Sequence, residues 1–153
     1  MGRAMLTPIS EDAFNAMAAD QRLFSLDHAR RFAAVNLDES RLLAIAWRSD
    51  LIEPCLLEDS GNGVIWIGVD ERVAGVSQQG HILLLMETQT PILSLEKWSN
   101  GVVVITETQA IVFHRDGSVR SVIEFPDLVQ HFKVNKDELS VSFSERNDMV
   151  FSL

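Results

Sequence analysis

Pro54-Cys55-Leu56-Leu57-Glu58-Asp59-Ser60-Gly61-Asn62-Gly63-Val64 and Pro91-Ile92-Leu93-Ser94-Leu95-Glu96-Lys97-Trp98-Ser99-Asn100-Gly101-Val102 are two renderings of one pattern. Each opens at a proline, passes through an apolar stretch into charged residues, and closes on an Asn-Gly-Val turn. The prolines stand 37 residues apart (91 − 54) and the triplets 38 (100 − 62). The downstream residues agree: Val73 to Val76, Gly80 and Ile82 in the first copy match Ile111 to His114, Gly117 and Val119 in the second. Pro126 opens a third, shortened copy with Leu128, Phe132 and Val134, followed by Leu139-Ser140-Val141. Such a period is the mark of repeat architectures. Its unit, four short strands joined by tight turns, is the size of one propeller blade.

A single blade leaves an apolar face bare, so blades must stack. Two copies, a shortened third and a half-blade at 42–47 fall short of the four that a closed ring needs. The expectation is therefore a sandwich-like stack with one face plugged by helices, or chains that associate to complete the structure. The hallmark of named propeller repeats, a Trp-Asp pair or a Gly-His pair recurring at fixed spacing, is absent.

From residue 41 onward, valine- and isoleucine-rich runs of a few residues alternate with turn residues, which is the signature of strands. The runs fall at 42–47, 55–57, 64–69, 73–76, 82–86, 92–95, 102–106, 110–113, 119–125, 129–134, 139–143 and 149–153. Asp116-Gly117 is the clearest hairpin signal and suggests a type I′ turn. Residues 1–40 read instead as helical. Ser10 with Glu11 and Asp12 supplies a cap and first-turn acids, and Ala13, Phe14, Met17 and Ala18 recur at helical spacing. Ser25 is placed to cap a second helix with an apolar stripe of Leu26, Ala29, Phe32 and Ala33. The fold class expected is mainly β (α+β): an antiparallel meander of blade-like four-stranded repeats, 41–153, packed on an N-terminal helical segment, 1–40, within a single domain, 1–153.

The 153 residues carry 13 basic and 22 acidic side chains, a net charge of −9. The acidity is spread: 1–60 hold 6 basic and 10 acidic residues, and 61–153 hold 7 and 12. A dispersed negative charge speaks against nucleic acid and anionic membrane as partners, since phosphate neutralisation takes clustered Lys and Arg. No apolar run approaches the roughly 18 residues of a membrane span, and residues 1–10 lack the apolar core of a secretory signal. One cysteine, Cys55, permits no intrachain disulfide and favours a reducing, cytoplasmic setting.

The sequence holds no glycine-rich phosphate loop, nucleophile elbow, paired metal-spaced histidines or cysteine pairs. Asp70-Glu71 and Asp137-Glu138 are too few acids for a calcium loop and read as solvated turns. His28, His81, His114 and His131 occupy different points of the unit, so no catalytic, cofactor-binding or metal residues are assigned and no cofactor is expected. Cys55, flanked by Pro54 and Leu56, reads as a small apolar residue rather than a nucleophile. Trp47 and Trp66 sit in apolar runs and read as core. Trp98, between Lys97 and Ser99, is the residue to weigh as an interface anchor, together with His114 and Arg115 at the Asp-Gly hairpin tip.

The absence of a reactive set, joined to an acidic strand-rich scaffold, points to a non-catalytic protein-binding module. An inhibitor, immunity-type or adaptor protein would dock a basic partner through its sheet face or hairpin tips. Two alternatives are a small-ligand binder or hydrolase with its site at the strand ends, and a structural homo-oligomer that completes an open sheet stack.

Overall fold

Short loops between apolar runs leave each strand its sequence neighbour as partner, and in the computed structural model, which describes residues 4–38, 41–59 and 61–153, the three sheets after the first are built on that rule. In chain order it contains β1 (Met5–Pro8), α1 (Glu11–Ala16), a 3-10 turn (Ala19–Gln21), β2 (Arg22–Phe24), β3 (Arg31–Asn36), β4 (Leu42–Trp47), β5 (Cys55–Asp59), β6 (Val64–Val69), β7 (Arg72–Ser77) and β8 (Ile82–Glu87). β9 (Ile92–Trp98), β10 (Gly101–Thr106), β11 (Gln109–His114), β12 (Val119–Glu124), β13 (Val129–Asn135), β14 (Glu138–Phe143) and β15 (Met149–Ser152) follow. The strands make four sheets, β1-β3-β4-β2, β5-β6-β7-β8, β9-β10-β11-β12 and the three-stranded β13-β14-β15. Each run read from residue 41 onward is a strand. The fold is the mainly β meander of blade-like sheets that the repeat implied.

The period survives in the geometry. Pairing of β7 with β8 slips so that Leu83 is skipped, and pairing of β11 with β12 slips so that Arg120 is skipped; the two bulged residues are 37 apart (120 − 83). The loops before these outer strands also match. Ser77 N–H donates to the His81 carbonyl and His114 N–H to the Ser118 carbonyl, while Gly80 and Gly117 are left-handed at φ 89° and 90°. The Asp116-Gly117 hairpin is therefore present, but its turn is not type I′. That turn needs positive φ at both central residues, and of residues 115–117 only Gly117 has it.

Register also explains why the triplets are 38 residues apart. Val64 pairs with Ser77 and Gly101 with His114, so Val64 and Gly101 hold equivalent places 37 apart. β5 ends at Asp59 and β6 begins at Val64, whereas β9 runs on to Trp98 and turns through Ser99-Asn100 alone. Trp98 thus stands opposite Gly101 where Asp59 stands opposite Val64. Ser60, the sequence counterpart of Trp98, lies outside the described residues, as do 1–3, 39 and 40.

The sheets stack in chain order, each pair sharing a core. Val35, Ile45 and Trp47 of the first pack with Ile65, Ile67 and Val76 of the second. Trp66 and Val73 pack with Val102, Val104 and Phe113 of the third. Val103, Ile105 and Val112 pack with Leu139, Val141 and Phe143 of the fourth. β6 and β10 are covered on both faces and are buried along their whole length, so their sequences show unbroken apolar runs instead of alternation.

Residues 1–40 depart from the helical reading. Ser10 does cap α1, its Oγ accepting from Ala13 N–H at 3.1 Å. The second helix does not form: 25–30 make a turn with His28 left-handed at φ 60°, and Arg31–Asn36 is β3, paired along its length with β4. The cause is burial from two sides. Ala33 and Val35 face the second sheet, while Phe32, Ala44 and Ala46 lie beneath Ile9, Phe14 and Met17 of the α1 region. A strand covered on both faces reads as the continuous run Phe32-Ala33-Ala34-Val35, which periodicity does not separate from a helix. The supposed helical segment instead supplies β1, β2 and β3 of the first sheet, with one short helix capping that sheet's outer face.

Candidate functional site

The three residues singled out for partner contact do come together, at one end of the third sheet. Trp98, Gly101 and His114 form a cross-strand row. Trp98 is not an exposed anchor, however: it is 7% exposed and belongs to the core shared with the fourth sheet. Its Nε1 donates to the Phe113 carbonyl at 3.0 Å, Arg120 lies over its ring at 5.5 Å, and the His114 ring is 6.4 Å away. Gly101 makes room for this. A Cβ there would strike the Phe113 carbonyl oxygen, the acceptor that Trp98 uses, and would come within 2.9 Å of its carbon. Arg115 is exposed, but its guanidinium donates to the Ser99 carbonyl at 3.1 Å and its N–H to the Asn100 carbonyl. The tip is fastened to its own sheet.

The nucleophilic and titratable groups are dispersed. Among the described residues no three His, Cys, Asp or Glu side chains converge on a metal-sized site. Cys55 is half-buried, its Sγ 3.8 Å from the Leu93 carbonyl, and burial, aided by the Glu96 charge, pushes its thiol above the ordinary range. A thiol held protonated is a poor nucleophile. At the hairpin tip, the Ser118 hydroxyl and then its N–H hold Asp116 below the usual carboxylate range.

At the opposite end of the strands lies a cleft of about 750 Å³ between the first and second sheets. It is bounded by the ends of β4, β6 and β8, the start of β7, and the turn at 25–28, and it runs into a second hollow of about 600 Å³. Two arginines build it. Arg48 Nε donates to the Asp27 carbonyl at 3.0 Å and Arg72 Nη1 to the Ser25 carbonyl at 2.8 Å, which pins the turn against both sheets. Asp70 occupies the tight β6–β7 turn at φ 50°, a conformation that Asp tolerates better than most residues. Its Oδ2 accepts from Arg48 N–H at 3.0 Å and Ser49 N–H at 3.3 Å, whereas its Oδ1 is buried with no partner. Asp70 is thus not the solvated turn acid that the sequence suggested. Trp47, also lining the cleft, is 3% exposed and its Nε1 likewise has no partner. These two residues are 23 apart in the chain (70 − 47) and belong to different sheets. Neither carries a local motif, so nothing in the sequence could join them.

A second surface is the outer rim. Ile82, Leu83 and Leu85 of β8 and Val119 and Val122 of β12 are each about half exposed. The two strands edge adjacent sheets, and the hairpin tip joins them, since a Cβ on Gly117 would touch Leu84 Cβ at 3.5 Å and the Leu83 carbonyl oxygen at 3.6 Å. The sequence marked both strands, at 82–86 and 119–125, but singled out neither as a surface. Comparison with models of known protein families and with curated proteins finds no match for this chain.

Proposed function

We propose that the chain is a non-catalytic protein-binding module, of the inhibitor, immunity or adaptor kind, that docks a basic partner on the outer rim of its second and third sheets. The observation that carries this reading is the gathering of half-exposed Ile82, Leu83, Leu85, Val119 and Val122 on two edge strands that meet at the Gly117 tip. Singly scattered exposed hydrophobics are ordinary, whereas several gathered on adjoining elements mark an interaction surface. The bulges at Leu83 and Arg120 twist both edges and discourage a partner's strand from adding to them. The partner therefore meets side chains. The net charge of −9 attracts a basic protein to the chain at low salt. The dispersal of reactive groups agrees with a binding role.

The test compares proteins retained from the source lysate by the immobilised full chain and by a Leu85→Ser/Val122→Ser double variant. A specific protein held by the parent, released by salt and lost by the folded variant, supports the reading. Equal retention by both removes the rim from it. Completion of the stack by a second chain draws less support, because Phe14, Ile9 and Met17 already cover the outer face of the first sheet.

A further inference from the structure

Two residues that line the large cleft each carry a buried polar atom with no partner, and the two atoms are of opposite kind. Asp70 Oδ1 is an acceptor without a donor, and Trp47 Nε1 is a donor without an acceptor. Buried polar groups are nearly always paired, and each one left unpaired costs on the order of 1–3 kcal/mol. A second orphaned indole, Trp66 Nε1, sits in the core between the second and third sheets, away from this cleft; the Trp98 indole is bonded to Phe113. Of the three tryptophans, Trp47 is thus the one with an unused N–H that also lines this cleft.

The charges around the cleft select the ligand. Arg30, Arg48 and Arg72 balance Asp70, Glu71 and Glu87, with His28 beside them; three cations less three anions leave no net charge with the imidazole neutral. A lone carboxylate or a lone ammonium would leave one set of charges unanswered. Leu26, Ile52, Val69 and Pro91 offer apolar wall, and the volume is of the size that small molecules fill. We propose that this cleft binds a small, uncharged, amide-bearing molecule, its N–H donating to Asp70 Oδ1 and its carbonyl accepting from Trp47 Nε1, with an alkyl group on the apolar wall.

Both atoms are closed off from solvent, so one wall must yield. The wall that can do so is residues 49–53, which contribute Ser49 and Ile52 to the cleft and belong to no strand. Its charged ties are the exposed pair Arg30–Asp50 at 3.6 Å and a two-bond fork from Arg31 to Glu53 at 2.7 and 3.0 Å. The first holds weakly, and the fork, the stronger kind of pair, anchors only the far end of the segment at residue 53. This site is independent of the rim and stands whether or not a protein docks there.

The test follows the three indole N–H signals of the isotope-labelled full chain by NMR during titration with N-acetyl-leucine N-methylamide, using acetate and methylammonium as charged controls. The Trp47 signal, assigned through Trp47→Phe, is expected to move saturably with the amide while those of Trp66 and Trp98 stay in place. Asp70→Asn keeps a side chain suited to left-handed backbone and is expected to weaken binding by ~10-fold or more. A stationary Trp47 signal, with water alone satisfying both atoms, overturns the proposal. So does a charged control that saturates in place of the amide, or unaltered affinity in folded Asp70→Asn.

Discussion

The glycines at 68 and 101 lie in corresponding strands, β6 and β10, yet adding one methyl group to each should have very different results. At Gly68 the new Cβ would meet only the Ile92 methyls at 3.3 Å and Leu95 Cδ2 at 3.5 Å, which are side-chain ends able to shift by a few tenths of an ångström. At Gly101 it would strike the Phe113 carbonyl, with the carbons of Phe113 and His114 at 2.9 and 3.0 Å. Backbone of a strand paired on both sides has little room to move, and Gly101 pairs with both Trp98 and His114. Gly101→Ala must therefore part β10 from β11, at about 1–3 kcal/mol for overpacking. It also takes the Phe113 carbonyl away from Trp98 Nε1, orphaning a buried donor at a further 1–3 kcal/mol or so. The expected loss is ~2–6 kcal/mol for Gly101→Ala and under ~1 kcal/mol for Gly68→Ala. Urea unfolding followed by far-UV dichroism measures both, with the slope m unchanged if unfolding stays two-state. Equal losses at the two positions would refute the assigned register of β9, β10 and β11, and with it the buried, hydrogen-bonded place of Trp98.

Further outcomes follow from other contacts. Phe14→Ala removes the side chain that α1 lays on the first sheet, 5.2 Å from the Phe32 ring, and should cost ~3–5 kcal/mol in the same assay; a loss below ~1 kcal/mol would mean that α1 caps nothing. Cys55 should react with iodoacetamide more slowly than a free thiol near pH 8 in the folded chain and at the ordinary rate in urea, because burial raises its pKa. Asp116 should titrate below the ordinary aspartate value of ~3.9, with Ser118→Ala moving its midpoint upward, since the Ser118 hydroxyl is the largest cause of the depression. The sign is that of a depressed carboxylate: its stabilisation is present above the unfolded pKa and lost as pH falls through the folded one. An unchanged midpoint in Ser118→Ala would contradict the bond.

The parts of the fold that repeat were legible, because the same local devices recur on schedule. Left-handed Gly80 and Gly117 and skipped Leu83 and Arg120 recur at the same spacing, so similarity of sequence and similarity of geometry coincide. The first sheet was hidden for two reasons. Its strand order is not that of a simple meander, with β2 lying parallel to β4 at the sheet's edge, and β3 is buried on both faces, which erases the alternation that betrays a strand. Trp98 misled because its neighbours Lys97 and Ser99 are exposed while it alternates inward, as a strand requires. The Trp47–Asp70 cleft could not be read from sequence, since stacking of sheets, rather than any local pattern, brings the end of β4 to the β6–β7 turn.

Hydrogen–deuterium exchange of the full chain, alone and with the protein it retains, tests the docking reading most directly. Slowed exchange confined to 82–86, 115–117 and 119–123 is the predicted footprint. Protection absent there and found instead at 26–30 and 48–53 would contradict docking on the rim.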